Sequence, residues 1–110
     1  MAYQVNGSTI EADEEGYIVN LDDWSKELAA EIAKAESVEM TENHWKVIDF
    51  LRKYYDEFQL APAVRVLVKN AKKKLGAEIG NSKTLEEMFP KGAAKQGCKI
   101  AGLPKPTGCV

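Results

Sequence analysis

Two amphipathic stretches in the middle of the chain constrain the fold most. The first follows Thr41, which can cap a helix, and the second runs from Pro62, which suits a first helical turn, to a terminating Gly76. In each stretch apolar residues recur at three- and four-residue spacing, which predicts two helices joined by a short turn. These residues are Trp45, Ile48, Leu51, Tyr55 and Phe58 in the first, and Val64, Leu67, Val68, Ala71 and Leu75 in the second.

Shorter elements are predicted on both sides of this helix-turn-helix-like centre. Asn6-Gly7 suits a type I′ turn, which predicts an N-terminal β-hairpin. Asp22 or Asp23 can cap a helix that carries Trp24, Leu28 and Ile32. Residues 76–83 are polar and contain glycine, so they predict a loop, after which Ser82 can cap a short helix. The chain is therefore predicted to be a mainly α, small helical domain.

Length and composition favour one domain without a membrane segment. With 110 residues, of which 45% are apolar, the chain can bury a core without metal or disulfide support. No run approaches the roughly 20 apolar residues of a membrane span, and no basic region leads into an apolar one at the N-terminus. We expect a cytoplasmic protein with no membrane insertion.

The C-terminal segment differs in composition from the rest. Residues 90–110 contain three of the four prolines and four of the eight glycines, and residues 91–110 contain four lysines and no acid. Removing these four positive charges from the net charge of −2 leaves −6 on residues 1–90. The prediction is a body over residues 1–90 and a flexible arm over residues 91–110, in which residues 93–101 can form one helical piece.

Both cysteines, Cys98 and Cys109, lie in this arm. Two cysteines in a chain with its own core do not indicate a disulfide framework, so they are candidates for chemistry. The chain between them spans about 37 Å when extended and about 18 Å as a coil, so the tip can reach outward or fold back. A bond between them is expected to be labile, since loop closure costs about 3 kcal/mol. The alternative is that Cys98 is a small buried apolar residue and Cys109 an incidental one.

The arm from Lys95 to Val110 closely resembles the C-terminus of the DsrC family, the gamma subunit of dissimilatory sulfite reductase. The resemblance extends through most of the chain. It includes Asp13 to Tyr17, Trp24, His44-Trp45, Phe50-Leu51-Arg52, Tyr54-Tyr55, Pro62, Val64-Arg65 and Phe89-Pro90.

This resemblance implies a sulfur carrier that acts as a co-substrate and not as an enzyme. It implies that the arm enters a channel of a sirohaem sulfite reductase, where Cys109 is the sulfur-accepting thiol and Cys98 the resolving thiol that helps form a bridging trisulfide. The sirohaem belongs to the partner, and the chain has no cofactor of its own. The implied partners are the reductase alpha and beta subunits, a membrane thiol-disulfide reductase complex and upstream sulfurtransferases.

Two sequence features indicate which branch of this family the chain resembles. Members of the related TusE type, which serve transfer-RNA thiolation, lack a cysteine at the position of Cys98, so its presence favours the sulfite-reductase branch. Residues 76–83 resemble an insertion found in sulfur-oxidiser members and in TusE proteins. We therefore expect sulfur oxidation rather than sulfite reduction, with a TusE-like relay as an alternative.

A different class of function is indicated by the basic face of the second central helix. Arg65, Lys69, Lys72 and Lys73 lie along one side, as in a helix-turn-helix DNA-binding regulator. The acidic body opposes phosphate binding, which favours a docking face for an acidic partner instead. Lys95, Lys99 and Lys105 are further docking candidates on the arm.

An autonomous thiol enzyme or a metal site is not favoured. A nucleophilic cysteine needs a positioned base, and the single histidine, His44, is expected at the surface or core edge. One histidine and two widely spaced cysteines also make a poor zinc site. We predict no metal.

Overall fold

The computed structural model describes residues 2–106. Within these residues, an antiparallel hairpin, β1 and β2, precedes a single 3₁₀ turn and five helices, α1 to α5, which confirms the mainly α fold with an N-terminal hairpin. The bounds are β1 Ala2–Val5, β2 Ser8–Glu11, the 3₁₀ turn Leu21–Asp23, α1 Lys26–Ala35, α2 Glu42–Phe58, α3 Val64–Leu75, α4 Ser82–Met88 and α5 Ala93–Ile100.

The hairpin turn has the predicted geometry. Asn6 and Gly7 have φ values of 49° and 83°, and Val5 pairs with Ser8 across the turn. Both central residues of a type I′ turn need positive φ, which asparagine and glycine tolerate. The hairpin packs on α1, and the buried Tyr3 hydroxyl donates a hydrogen bond of 2.8 Å to the carbonyl of Gly16.

The caps of two helices differ from the prediction. Ser25, not Asp22 or Asp23, caps α1, and its side chain accepts a hydrogen bond from the backbone N–H of Leu28. The aspartates lie inside the 3₁₀ turn, which the preceding Asn20 caps. Asn81 likewise caps α4, so the predicted Ser82 becomes the first helical residue. In each segment more than one nearby residue is able to cap a helix, and the structure uses Ser25 for α1 and Asn81 for α4.

The central helices agree more closely with the prediction. Thr41 caps α2, and His44 completes a capping box with it. A short connection over residues 59–63 leads into α3, which begins two residues after Pro62 and is capped at its C-terminus by Gly76. The buried faces of α1, α2 and α3 include Leu28, Ile32, Ile48, Leu51 and Leu67.

Packing does not end at residue 90, where the body was predicted to stop. Helix α5 packs against α1, α2, α3 and α4, and six of its eight residues are buried. Its small residues permit this close packing: a Cβ atom on Gly97 would lie 3.1 Å from Cδ1 of Leu51. Composition alone suggested a weak segment, because glycine and alanine contribute little apolar surface themselves, but they allow larger neighbours to surround the helix.

Within residues 2–106, no helix is both long and apolar enough to cross a membrane. Over the same residues, no group of three or more His, Cys, Asp or Glu side chains is arranged to hold a metal ion.

Candidate functional site

Cys98 lies in the last turn of α5, inside the core. Its side chain is a free thiol with 0% relative exposure. Burial disfavours the charged thiolate and raises the pKa of Cys98 from 9.0 to about 12. In this conformation Cys98 is a neutral thiol that cannot be reached from solvent, so any reaction with a second thiol requires movement of the residues around it.

The chain reverses direction immediately after α5. Gly102 has a φ of +70°, and its N–H donates a 3.1 Å hydrogen bond to the carbonyl of Lys99. The N–H of Leu103 donates a 2.9 Å hydrogen bond to the carbonyl of Cys98. This pair of bonds is a Schellman motif, which fixes the backbone of Cys98 to the residues that follow the helix.

Two side chains from distant elements complete the end of α5. Nε1 of Trp24 donates a 3.0 Å hydrogen bond to the carbonyl of Ile100, and Nη1 of Arg52 donates one of 2.6 Å to the carbonyl of Ala101. The Arg52 guanidinium also lies 4.0 Å from the centroid of the Trp24 ring. The carbonyls of residues 98–101, which a helix end leaves unpaired, are therefore all hydrogen-bonded.

Gly102 is required by this arrangement. A Cβ atom on Gly102 would lie 2.3 Å from Cδ1 of Trp24, a distance that no side chain can adopt without displacement. We call Trp24, Arg52 and Gly102 the C-terminal clamp. The clamp holds the chain to the body as far as Leu103, which is 2% exposed.

A second set of contacts lies on the polar side of α5, around Glu36. Oε1 of Glu36 accepts a 3.1 Å hydrogen bond from Nε2 of the buried Gln96 and lies 3.4 Å from Nζ of Lys99. The Lys99 ammonium also lies 5.3 Å from the centroid of the Tyr17 ring. Burial is the main cause that raises the pKa of Tyr17, and its hydroxyl donates to the carbonyl of Lys95. These groups line a cleft of about 300 Å³.

The predicted docking residues fall into two groups. Arg65, Lys69, Lys72 and Lys73 are exposed on α3, and Lys95 is exposed on α5. Lys99 and Lys105 instead form ion pairs with the body: Nζ of Lys105 lies 2.9 Å from Oε2 of Glu15, and Lys99 pairs with Glu36. The structure brings Lys95 and Lys99 to the cleft beside α5. The predicted sulfur-accepting residue, Cys109, lies outside the described residues.

His44 has the core-edge position that was expected. It is 7% exposed, its Nδ1 lies 2.7 Å from the hydroxyl of Thr41, and its Nε2 lies 3.0 Å from the carbonyl of Met88. Nδ1 also accepts a 3.2 Å hydrogen bond from the backbone N–H of Thr41, so both ring nitrogens have partners within the body. His44 therefore links the start of α2 to the end of α4.

Sequence reasoning missed Trp24, Arg52 and Glu36 as residues of this site. Each meets α5 across a separation of more than forty residues, and no local pattern reports such contacts. Only Gly102 carried a local signal, because glycine two residues after a helix is typical of a Schellman motif.

Comparison with known proteins identifies the family. The profile of the family described as "DsrC like protein" matches residues 4–110, a range that includes both cysteines. The chain is 51% identical over 104 residues to sulfurtransferase TusE of Photorhabdus laumondii, covering 94% of each chain.

Two solved structures are similar over their full length. DsrC of Allochromatium vinosum is 57% identical with a TM-score of 0.90, and both chains are covered completely. The gamma subunit of dissimilatory sulfite reductase (DsrC) from Archaeoglobus fulgidus is 41% identical with a TM-score of 0.88, again over 100% of both chains. The chain belongs to the DsrC-like family.

Proposed function

We propose that this chain is a sulfur carrier in which Cys109 accepts sulfur and Cys98 resolves it. The observation that carries the proposal is membership of the DsrC-like family over residues 4–110, with a cysteine at both positions. Relatives that are named sulfurtransferases support the same general role. In this proposal the chain receives sulfur and presents it to partners.

The clamp sets how far Cys109 can reach. The clamp holds the chain to the body as far as Leu103, and beyond it Lys105 pairs with Glu15 and Pro106 is buried. While these further contacts hold, three residue steps separate Cys109 from Pro106, about 10 Å when fully extended. When they are released, six steps separate Cys109 from Leu103, about 20 Å. Measured from Cys98, the same tip would reach about 37 Å. A partner must therefore bring its reactive sulfur within about 20 Å of Leu103, which suits a channel that opens against the body.

The transfer is a thiol exchange. A donor persulfide passes its outer sulfur to the thiolate of Cys109, which leaves the donor as a thiol and Cys109 as a persulfide, with no net change in electrons. Attack by Cys98 on the inner sulfur then forms the Cys98–Cys109 disulfide and releases hydrogen sulfide. A bridging trisulfide requires instead that a partner remove two electrons and two protons.

The proposed partner for that second outcome is a dissimilatory sulfite reductase, whose alpha and beta subunits would supply the sirohaem. The similarity to DsrC proteins and the presence of Cys98 favour this assignment, with sulfur oxidation as the preferred direction. A membrane thiol-disulfide reductase would supply two electrons and two protons to return the Cys98–Cys109 disulfide of the first outcome to two thiols. Upstream sulfurtransferases would load Cys109 in the cytoplasm.

The second candidate is a relay to transfer-RNA thiolation. It is favoured by the relatives named TusE, which match the chain over nearly its whole length. A relay needs only Cys109, whereas the reductase cycle uses both cysteines. DNA binding by α3 is less well supported, because residues 1–90 carry a net charge of −6.

Single-cysteine variants test the proposal. After incubation with a persulfide donor, mass spectrometry should show one added sulfur on the wild type and on Cys98→Ala, and none on Cys109→Ala. The loaded proteins are then offered to purified sulfite reductase. Only the wild type should yield a product that joins both cysteines. Normal loading of Cys109→Ala through Cys98 would contradict the assignment of the accepting thiol, and equal performance of Cys98→Ala with the reductase would favour the relay.

A further inference from the structure

We propose that Trp24 and Arg52 are positioning residues that control access to the Cys98 thiol by holding the end of α5 closed. The use of this control in a working cycle rests on the proposed function, but the control itself is a property of the body. It requires neither a sulfur donor nor a partner to be observed.

The geometry of the clamp supports this role. Cys98 is the residue whose carbonyl accepts the N–H of Leu103, so Cys98 cannot leave the core while the chain reversal is intact. The next two unpaired carbonyls of the helix, those of Ile100 and Ala101, are held by Trp24 and Arg52. Opening the last turn of α5 therefore requires both side-chain hydrogen bonds to break.

The two side chains of the clamp, Trp24 and Arg52, lie nearer the surface than Cys98. Trp24 and Arg52 are partly exposed, whereas Cys98, Ile100 and Ala101 are 0% exposed. Contacts at the surface can open locally while the core remains folded. The Arg52 guanidinium also lies on the Trp24 ring, so loss of one member weakens the placement of the other.

The size of the effect follows from the type of bond. A hydrogen bond from a charged donor contributes enough to change an equilibrium constant roughly ten- to a hundred-fold. The bond from the neutral Trp24 indole contributes roughly three- to ten-fold. If alkylation occurs only from the open state, its rate follows the opening equilibrium and should rise by these factors when the bonds are removed.

The test is the rate of Cys98 alkylation by iodoacetamide in folded protein that carries Cys109→Ala. Arg52→Ala should raise the rate roughly ten- to a hundred-fold. Trp24→Phe, which removes the donor but keeps an aromatic ring, should raise it roughly three- to ten-fold. Lys53→Ala is the matched control, because Lys53 is the next residue on α2 and pairs only with the exposed Asp49 among the described residues. It should leave the rate unchanged.

Local opening is distinguished from global unfolding by repeating the alkylation measurement at low urea concentrations. Local opening exposes little surface, so the alkylation rate of Arg52→Ala should change little with urea. A rate that rises with the full urea dependence of unfolding would overturn the proposal, as would equal rates for Arg52→Ala and Lys53→Ala. Because Cys109 is absent throughout, failure of this test leaves sulfur loading at Cys109 untouched, and failure of loading leaves this test valid.

Discussion

Helices α3 and α5 contrast in how sequence relates to burial. Helix α3 has a regular apolar stripe and three lysines in its last turn, yet only two of its twelve residues, Leu67 and Ala71, are buried. Helix α5 has glycine, alanine or lysine at five of its eight positions and one large apolar residue, Ile100, yet six of the eight residues are buried. Large side chains are therefore no reliable sign of which helix lies at the centre.

The two helices also differ in what stabilises them. An isolated helix of eight residues is unstable in water, so α5 forms because its neighbours pack around it. Helix α3 is longer, and its C-terminal lysines complement the helix dipole. Substitutions in α5 and its clamp should accordingly act on stability, whereas substitutions on the exposed side of α3 should act on binding.

The largest effect is expected for Gly102→Ala. The new methyl group would collide with Trp24, and an alanine at position 102 would have to keep the positive φ of the glycine. Together these effects should lower the free energy of unfolding by about 2 to 4 kcal/mol. Gly7→Ala is the matched control, since Gly7 also has positive φ but nothing within 4 Å of the added atom. It should cost about 1 kcal/mol. Urea unfolding measures both, and equal losses would show that the contact with Trp24 has no importance for stability.

An intermediate effect on the free energy of unfolding is expected when the pH is raised, because burial raises the pKa of Cys98. The folded protein keeps the thiol protonated up to a pKa of about 12, while the unfolded chain loses the proton near pH 9. The stabilising contribution is therefore fully present below pH 9 and is lost as the pH rises towards 12. The expected loss is about 1.4 kcal/mol per pH unit above 9.

Cys98→Ala isolates this contribution. With Cys109→Ala in both proteins, the difference in free energy of unfolding between the variant and its parent should shrink between pH 9 and 10. The comparison stops at pH 10 because Tyr3 and Tyr17, whose pKa values are also raised, begin to contribute there. A difference that stays constant over this range would mean that Cys98 is not held neutral by burial.

The smallest effect on stability is expected on α3. Arg65→Glu and Lys69→Glu should each change the free energy of unfolding by less than about 0.5 kcal/mol, because both side chains are exposed and neither lies in the last turn of the helix. The same variants should slow association with an acidic partner, and added salt should reduce the difference from the wild type. If the variants associate with the partner as fast as the wild type at every salt concentration, α3 is not the docking face, and Lys95 beside α5 is the remaining exposed candidate.

The elements with local signals were predicted correctly. Asn6-Gly7 defined the hairpin turn, Thr41 the start of α2, and Gly76 the end of α3, because each depends on a backbone geometry that one or two residues fix. Cap positions shifted by one or more residues where several polar side chains compete, as between Asp22 and Ser25.

The two cysteines and the family were also determined by the sequence, because reactive residue types and their spacing need no fold to be recognised. The environment of Cys98 was decided only by tertiary structure. Its burial depends on helices that approach α5 closely at Gly97, and its backbone is held through Trp24 and Arg52, which lie far away in the chain. Such contacts join residues that share no local pattern, so a segment with the composition of a flexible arm becomes the centre of the core as far as Leu103.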